Sequence, residues 1–304
     1  MSSCCSPGRG DAPGPGVESS SAQRLAVPTV RPRGSSTMLA LPGGRFSMGA
    51  EGSQVNPGDG EGPVRPMDVD SFRIDAVTVT NAAFAGFVDA TGYSTEAERF
   101  GWSFVFDMFV PPEIDRAIER AVAAAPWWLP VSGASWRAPE GPGSHVADRQ
   151  HHPVVHVSWN DASAYCAWSG TRLPTEPEWE YAARGGLEQA TFPWGDDLTP
   201  NGQHRCNVWQ GRFPTTNTMA DGYLGTAPVT AYEPNGFGLY NTVGNVWEWT
   251  ADPFGRGAHG ARAMRGGSYL CHASYCNRYR VAARTANTAD SSAGNIGFRV
   301  AADC

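Results

Sequence analysis

A polar stretch near the carboxyl end limits what this chain can fold into: residues 265–280 read RGGSYLCHASYCNRYR. The stretch shows neither the polar–apolar alternation of a strand nor the apolar repeat of about 3.6 residues that marks an amphipathic helix. Its hydroxyl, thiol, imidazole and guanidinium groups would each need a hydrogen-bond partner if they were buried as ordinary core. The sequence therefore predicts an irregular polar site with two thiols, Cys271 and Cys276, at its centre.

The rest of the composition favours one globular domain with little regular secondary structure. Thirty-six glycines and twenty-four prolines are scattered along the 304 residues, which predicts many turns, and eleven tryptophans can fill a sizeable core. We expect a single α+β domain with a few short helices and irregular strands. The net charge of −7 argues against nucleic acid as a partner, because phosphate contacts need a basic surface.

The amino terminus and the cysteine count indicate the cellular compartment that we expect for this chain. No apolar run of about 18 residues is present, so no membrane span is expected, and the amino terminus lacks the apolar core of a secretory signal. Seven cysteines at irregular spacing do not form a disulfide framework, so we expect a cytoplasmic protein with reduced thiols. Ser, Gly and Pro dominate residues 1–36, which we interpret as a disordered tail in which Cys4 and Cys5 are incidental. The domain is expected over residues 37–304.

Helix caps and turn residues divide the domain into short elements. Residues 38–49 predict a hairpin that turns at Gly43-Gly44, and residues 69–74 predict a strand. Four helices are expected, because a capping residue or a proline precedes an apolar repeat and a glycine or proline follows it. They begin at Thr80, Pro112, Ser158 and Thr175 and end at Gly92, Pro126, Gly170 and Gly185. No helix is expected beyond the fourth.

The thiol pair admits several interpretations from spacing alone. A structural disulfide or two inert buried thiols fit the sequence separation as well as a metal site does. Zinc usually needs four ligands, and no second cysteine pair is present. A thiol–disulfide oxidoreductase more often carries Cys-x-x-Cys. Two thiolates without other ligands suit a soft monovalent metal, for which Cu(I) is the biological candidate.

Oxygen-rich turns form a second candidate metal site. Residues 207–209, 221–223 and 241–249 combine amides, carboxylates and turn carbonyls, which are the ligands that Ca²⁺ takes. Ordinary turn caps are the alternative, since no EF-hand loop is present. The histidines of residues 151–156 have no acidic partner at ligand spacing, so we interpret them as structural.

The polar stretch is also where the chain resembles a known family. Residues 265–280, together with Ala282-Ala283-Arg284 and Gly297-Phe298-Arg299, resemble the carboxyl-terminal signature of the formylglycine-generating enzymes. Three further segments are similar to motifs of the wider sulfatase-modifying factor family: residues 152–162 (HPVVHVSWNDA), 172–176 (RLPTE) and 244–249 (GNVWEW). The resemblance extends from about Met38 to Asp303.

The resemblance implies a fold related to C-type lectins and an enzyme that oxidises a cysteine to Cα-formylglycine. The substrate would be an unfolded sulfatase polypeptide carrying Cys-x-Pro-x-Arg, with O₂ as the oxidant and an external thiol as the reductant. A monomer is expected. By match, Cu(I) would be held by Cys271 and Cys276, the oxygen pocket would be lined by the catalytic residues Ser268, Trp247 and Tyr275, and the substrate would be bound near His272 and Asn295. Structural Ca²⁺ would bind Asn207, Val208, Asp221 and Tyr223 in one site and Asn241, Gly244, Val246 and Glu248 in another.

The chain also departs from the family pattern. Trp102 stands where the vertebrate enzyme uses an aspartate to hold the substrate arginine, so arginine recognition must rest on other residues or be weaker. The two vertebrate disulfides cannot form, because Cys166 is matched with Val300 and Ala183 with Val281, which fits a cytoplasmic version. Two other functions remain open: a non-catalytic, calcium-stabilised lectin-like binding module, and an iron-dependent sulfoxide synthase. The latter would need an additional helical iron-binding domain, for which the sequence carries no motif.

Overall fold

Short strands and short helices make up the domain. The structure, a computed structural model, describes residues 6–11, 38–115, 122, 124–255 and 260–304. The strands are β1 (Met38–Leu41), β2 (Gly44–Met48), β3 (Arg65–Val69), β4 (Phe72–Asp75), β5 (Trp102–Phe106), β6 (Trp128–Ser132), β7 (Gly211–Arg212), β8 (Thr216–Asn217), β9 (Trp247–Pro253), β10 (Ala261–Arg265), β11 (Arg284–Thr288), β12 (Ile296–Phe298) and β13 (Ala301–Asp303). The helices are α1 (Asn81–Thr91), α2 (Glu96–Phe100), α3 (Pro112–Asp115), α4 (Trp159–Ser169) and α5 (Glu176–Arg184). The predicted α+β class is confirmed.

The strands pair in several small sheets. The largest has the order β11-β10-β9-β12, in which β12 runs parallel to β9 and the other neighbours are antiparallel. A three-stranded sheet has the order β1-β4-β13, and β2-β3, β5-β6 and β7-β8 form pairs. The largest sheet positions the polar stretch, because Arg265 at the end of β10 lies opposite Arg284 at the start of β11. Residues 266–283 therefore form one long connection at that end of the strand pair.

Aromatic side chains dominate the core. Trp247 and Trp249 of β9 are fully buried, and Trp249 is the register partner of Phe298 on β12. Phe84 of α1 packs edge-on against Phe298, with 6.4 Å between the ring centroids. Burial of such rings removes apolar surface from water, which stabilises the fold by about 25 cal/mol per Å² of buried area, and it adds directional contacts between the rings. Packing therefore fixes the strand that carries Trp247.

Local capping explains where the helices begin. Thr80, Ser158 and Thr175 each accept a hydrogen bond from the backbone N–H three residues on, and the last two form full capping boxes. The three helices predicted at these residues are confirmed. A helix that was not predicted, α2, uses the same box, in which Thr95 and Glu98 bond each other's backbone N–H.

The amino-terminal strands differ from the prediction. The expected hairpin over residues 38–49 is wrong, because β1 pairs with β4 while β2 pairs with β3. At the bend, a Cβ atom on Gly43 would lie 2.3 Å from the Val69 carbonyl oxygen. The bend that joins β1 to β2 thus packs against the bend that joins β3 to β4. As a result, β1 pairs with β4 and β2 pairs with β3. The predicted strand over residues 69–74 is accordingly divided between β3 and β4.

The second predicted helix, over residues 112–126, is confirmed only at its beginning. Helix α3 starts at Pro112, residues 116–121 lie outside the described residues, and Val122 forms an isolated bridge with Ala125 rather than a helical turn. Beyond α5, the described residues contain no α-helix, as expected. In the part of the chain that the structure describes, none of the helices has the length and apolar character needed to cross a membrane.

A short part of the predicted tail lies against the domain. Ser6–Asp11 are described, end in a 3₁₀ turn over Arg9–Asp11, and form hydrogen bonds to Asn287 and Ser291. Disorder was expected for these residues as well, so the structure differs from the prediction here. The remainder of the tail, residues 1–5 and 12–36, falls outside the described ranges, and its disorder stays a prediction.

Candidate thiol-pair site

Two sulfur atoms face each other within the polar stretch. Cys271 Sγ and Cys276 Sγ lie 3.4 Å apart, and each residue is only 2% exposed. Tight turns bring them together, because the Cys271 amide donates to the Ser268 carbonyl at 2.9 Å and the Cys276 amide donates to the His272 carbonyl at 2.7 Å. A disulfide has an S–S length of about 2.05 Å. The structure therefore places two thiols here that are not joined by a disulfide.

Hydrogen-bond donors point at both sulfurs. The Ser268 amide donates to Cys271 Sγ at 3.4 Å, and the guanidinium Nη1 of Arg278 donates to Cys276 Sγ at 3.6 Å. Burial, followed by the hydrogen bond and charge of Cys276, raises the pKa of the Cys271 thiol well above its usual value, whereas the Ser268 amide and Arg278 act against that rise. A buried thiol pair with such donors is compatible with a soft cation that replaces the protons.

Two ion pairs anchor the stretch to a distant loop. Arg278 bonds both carboxylate oxygens of Asp59, and Arg280 bonds both oxygens of Glu61 at 2.6 and 2.8 Å. Burial alone would raise the pKa of Glu61, but the Arg280 guanidinium outweighs it and holds that pKa below its usual value. In the sequence, residues 50–66 show only the polar character of a loop. The matched spacing of two acids and two arginines was the signal that could have revealed the contact.

Three residues assigned by resemblance meet beside Cys271. The Asn295 side-chain amide donates to Ser268 Oγ at 3.1 Å, and the Trp247 backbone amide donates to the Asn295 carbonyl at 2.8 Å. All three are fully buried. The indole N–H of Trp247 is buried without a hydrogen-bond partner among the described residues, which is an uncommon state for such a donor. The structure thus brings Ser268, Asn295 and Trp247 together in one polar frame.

The other two assigned residues lie between the cysteines. The Tyr275 ring stacks on Phe213 with 4.5 Å between centroids, and Trp127 packs edge-on against it at 4.8 Å. His272 is half-buried, and its Nδ1 is 2.7 Å from Ser274 Oγ. Tyr275 is therefore held rigidly by aromatic packing, whereas His272 lies on the more open side of the turn.

A cavity of about 320 Å³ adjoins this frame. Its lining includes Tyr269, whose hydroxyl donates to the Gly294 carbonyl at 3.1 Å, one residue before Asn295. His156 also lines it, with Nδ1 2.9 Å from Ser103 Oγ, and burial lowers the pKa of His156 to about 4. Its hydrogen bond to Ser103 and its lowered pKa are compatible with the structural role predicted for this histidine.

The first oxygen-rich set converges in the structure. Asp221 Oδ2 accepts from the Val208 amide at 3.1 Å, and Asp221 Oδ1 accepts from the Tyr223 amide at 3.1 Å. The side-chain amide of Gln210 donates both to Asp221 Oδ2 and to the Val208 carbonyl. Two oxygens of the set thus converge on one donor atom, as they would on a cation. The Asn207 side-chain amide donates to the Gly225 carbonyl at 2.8 Å.

The second oxygen-rich set is only partly free for a cation. Asn241 Oδ1 is buried without a partner among the described residues. Gly244 lies against Asn207, where a Cβ atom would be 2.4 Å from the carbonyl oxygen, and Val246, two residues further along the chain, is buried. The Glu248 carboxylate accepts from Arg299 through both oxygens and from Trp179 Nε1 at 2.7 Å. In the described residues, no cluster of three or more His, Cys, Asp or Glu side chains is arranged to hold a metal ion.

The chain is similar over most of its length to proteins of one family. The sulfatase-modifying factor enzyme 1-like domain matches residues 24–304. A formylglycine-generating enzyme of Thermomonospora curvata is 59% identical over 283 residues, covering 88% of this chain and 93% of the relative. The Bos taurus enzyme of that name is 53% identical over 320 residues, covering 98% and 85%. An inactive Cα-formylglycine-generating enzyme 2 of Mus musculus is 51% identical over 267 residues, covering 87% and 85%.

A solved structure, that of PvdO from Pseudomonas aeruginosa, has the same fold, with a TM-score of 0.64 at 24% identity over 88% of this chain and 94% of that one. The family domain spans nearly the whole chain, and the thiol pair lies inside the matched residues. Sequence identity above one half over most of two named enzymes agrees with that match. The chain belongs to the formylglycine-generating enzyme family of sulfatase-modifying factors.

Proposed function

We propose that the chain is a copper-dependent oxidase that converts the cysteine of a Cys-x-Pro-x-Arg segment in an unfolded sulfatase polypeptide to Cα-formylglycine. The observation that carries this proposal is the pair of thiols Cys271 and Cys276, whose sulfur atoms lie 3.4 Å apart, without a disulfide, in a buried polar frame. The names of the relatives from Thermomonospora curvata and Bos taurus support the reaction.

The donor set fits Cu(I). Thiolates are the soft ligands that this ion selects, and two of them leave room for a third sulfur from the substrate. The Ser268 amide and the Arg278 guanidinium favour negative charge on the two sulfurs, because each donates a hydrogen bond to one of them. When bound, copper would supply the activation of O₂ beside the substrate thiol.

The surrounding residues position and protect the reacting groups. Asn295 orients the Ser268 hydroxyl, and the indole N–H of Trp247, which has no partner within the described part of the chain, is available to donate to a bound group. Aromatic packing holds Tyr275 in place. The near-complete burial of both thiols keeps water away from a reactive centre, which limits side reactions.

The overall reaction needs O₂ and an external thiol. Written in full, R–CH₂–SH + O₂ + 2 R′–SH gives R–CHO + H₂S + H₂O + R′–S–S–R′. The substrate Cβ is oxidised and loses its sulfur as hydrogen sulfide, O₂ is reduced, and the external thiols supply the two further electrons. We propose structural Ca²⁺ at the convergent oxygens near Asp221 and at Asn241 Oδ1, which has no partner in the ranges that the structure describes; there the ion would hold turns together.

Serine variants of the thiols test the proposal. Cys271→Ser and Cys276→Ser should each abolish both stoichiometric Cu(I) binding and conversion of a Cys-x-Pro-x-Arg peptide, because a hydroxyl is a poor ligand for this ion. Cys166→Ser is the matched control, since Cys166 is also a buried thiol without a disulfide but belongs to helix α4. Full turnover by either thiol variant would reject the assignment.

A non-catalytic binding module is the second candidate function. The observation that favours it is the 51% identical mouse relative, which is named inactive. Such a module would bind the peptide without changing its mass. A copper-loaded protein that binds the peptide and leaves its thiol intact in air would therefore establish the alternative.

A further inference from the structure

The amino terminus carries a copy of the substrate motif. Residues 5–9 read Cys-Ser-Pro-Gly-Arg, so Cys5, Pro7 and Arg9 have the spacing of Cys-x-Pro-x-Arg. Cys4 is one residue out of register and serves as an internal reference. The inference drawn from this segment rests on the proposed function, because the motif has meaning only for an enzyme that modifies it.

The backbone of the segment is held by residues of the carboxyl-terminal region. The side-chain amide of Asn287 lies 2.9 Å from the Pro7 carbonyl oxygen and 3.1 Å from Ser6 Oγ, and is placed to donate to both. The Arg9 amide donates to Ser291 Oγ at 2.8 Å. Ser6 and Pro7 are buried, although both belong to a region rich in Ser, Gly and Pro. A specific site therefore binds this part of the tail.

The Arg9 side chain occupies an aromatic recess. Its guanidinium carbon lies 3.9 Å from the centre of the Phe100 ring and 4.4 Å from the centre of the Trp102 ring, and its Nε donates to the Asp290 carbonyl at 3.2 Å. Such contacts favour a planar cation. Burial lowers the pKa of Arg9 to about 10, while Asp290 and the nearby Glu96 oppose that shift. Arginine recognition at Trp102 is thus achieved without the aspartate of the vertebrate enzyme.

The recess and the thiol pair belong to one network. Ser103, which follows Trp102, lies 2.8 Å from Ser292 Oγ. Ser291 and Ser292 lead along the chain to Asn295, which bonds Ser268, whose amide bonds Cys271 Sγ. The described segment therefore begins at Ser6, directly after Cys5 in the sequence, and the residues that hold it are linked to the candidate active site through the largely buried chain from Ser291 to Asn295.

We propose that residues 5–9 are an internal substrate and that the chain converts its own Cys5 to Cα-formylglycine. The thiol of Cys5 leaves as hydrogen sulfide, O₂ is the oxidant, and an external thiol supplies two electrons, as in the reaction written above. Twenty-six residues separate Asp11 from Met38, and an extended chain of that length spans on the order of 80 Å, so the tail can reach its own site. Tethering also gives the segment a high effective concentration over free peptides.

Peptide mapping of the full chain tests this proposal. After copper loading and incubation in air with a dithiol, the amino-terminal peptide should lose one sulfur and two hydrogens and gain one oxygen at Cys5, and an aminooxy reagent should label it there. Cys4 should keep its thiol, and Cys4→Ala should leave conversion of Cys5 unchanged. Arg9→Ala should lower the initial rate of Cys5 conversion by about tenfold or more, because it removes the recess contacts.

Two comparisons separate this inference from the proposed function. If the wild-type chain converts a free Cys-x-Pro-x-Arg peptide while Cys5 stays a thiol, the internal substrate is refuted and the proposed function stands. If neither cysteine is converted, both fail. Conversion within one chain further requires that an isotope-labelled Cys271→Ser chain, mixed with wild type, keeps its Cys5 thiol; efficient modification in the mixture would contradict it.

A measurement without turnover tests the docking itself. In metal-free Cys5→Ser protein, the amides of Arg9 and Asp11, which donate to Ser291 Oγ and the Gly8 carbonyl, should exchange slowly with deuterium. Asn287→Ala should release them to rapid exchange. Exchange at the rate of a free peptide in both proteins would overturn the docked arrangement.

Discussion

Arg278 offers the sharpest test of how the polar stretch holds its sulfurs. Its guanidinium forms a buried ion pair with Asp59 and donates to Cys276 Sγ at 3.6 Å. Replacement by methionine keeps an unbranched apolar stem but removes the guanidinium and with it both interactions. The change should therefore weaken the fold and, separately, weaken the copper binding proposed for the thiol pair.

The two effects have different expected sizes. Removing one partner of a buried ion pair leaves the other charge uncompensated, which costs about 3–5 kcal/mol of unfolding free energy. Here both side chains are at most 10% exposed, so solvent does little to relieve Asp59. Loss of a hydrogen bond to a metal ligand typically lowers metal affinity by about ten- to a hundredfold. We expect Arg278→Met to show both losses.

A second substitution separates them. Arg278→Met combined with Asp59→Leu removes the stranded carboxylate, so most of the lost stability should return while copper affinity stays low. Arg280→Met is the matched control, because Arg280 forms the adjacent buried pair with Glu61 and should lose stability but keep copper affinity. Denaturant titration and competition with a Cu(I) chelator give the two quantities. If copper affinity returns in the double variant, or is unchanged in Arg278→Met, the contact with Cys276 has no role.

Three further predictions follow from the structure. The pKa of His156 is about 4 when folded and near 6.5 when unfolded, so the unfolded chain takes up the proton first and stability should fall by up to about 3 kcal/mol as pH drops from 6.5 to 4. Asp161 acts in the opposite direction, because burial raises its pKa to about 6. The measurement is therefore the difference in unfolding free energy between wild type and His156→Gln across that pH range. An identical pH slope in the two proteins would contradict the prediction. Gly244→Ala should cost more than about 1 kcal/mol in denaturant titration, because residue 244 has φ of +74° and its Cβ would lie 2.4 Å from the Asn207 carbonyl oxygen; unchanged stability would show that the turn can adapt. Chelation of Ca²⁺ should lower the melting temperature of wild type more than that of Asn241→Ala, and equal shifts would argue against calcium at Asn241.

Local signals determined which parts of the fold could be predicted. Helices α1, α4 and α5 begin at capping residues whose partners are three positions away, so the sequence contains the whole signal. The predicted hairpin failed because pairing of β1 with β4 and β2 with β3 depends on how two bends pack, which no local pattern states. Helix α2 was overlooked although its capping box was present, because it is too short to show an apolar repeat.

The contacts of the candidate site also differ in whether local sequence could predict them. The sequence places Ser268, Cys271 and Cys276 close together, so the contact between them could be predicted. The ion pair of Arg278 with Asp59 joins residues 219 positions apart. The two-residue spacing that Asp59 and Glu61 share with Arg278 and Arg280 is a weak signal, because spacing alone does not say which segments meet. The resemblance identified Trp102 as a departure, but only the structure shows that its ring can receive an arginine.

Long-range ion pairs explain how a segment without regular secondary structure can hold two sulfurs at a fixed separation. Arg278, Arg280 and Arg284 project from the connection and the strand that follows it, and each is bound by a buried carboxylate from a distant part of the chain. Buried pairs of this kind add little net stability, because desolvation offsets their attraction. Their geometry is nevertheless demanding, since a bidentate guanidinium tolerates little displacement. The arginines therefore specify the conformation between β10 and β11 that helix or sheet hydrogen bonds would specify elsewhere, and this leaves the backbone free to turn both cysteines towards each other.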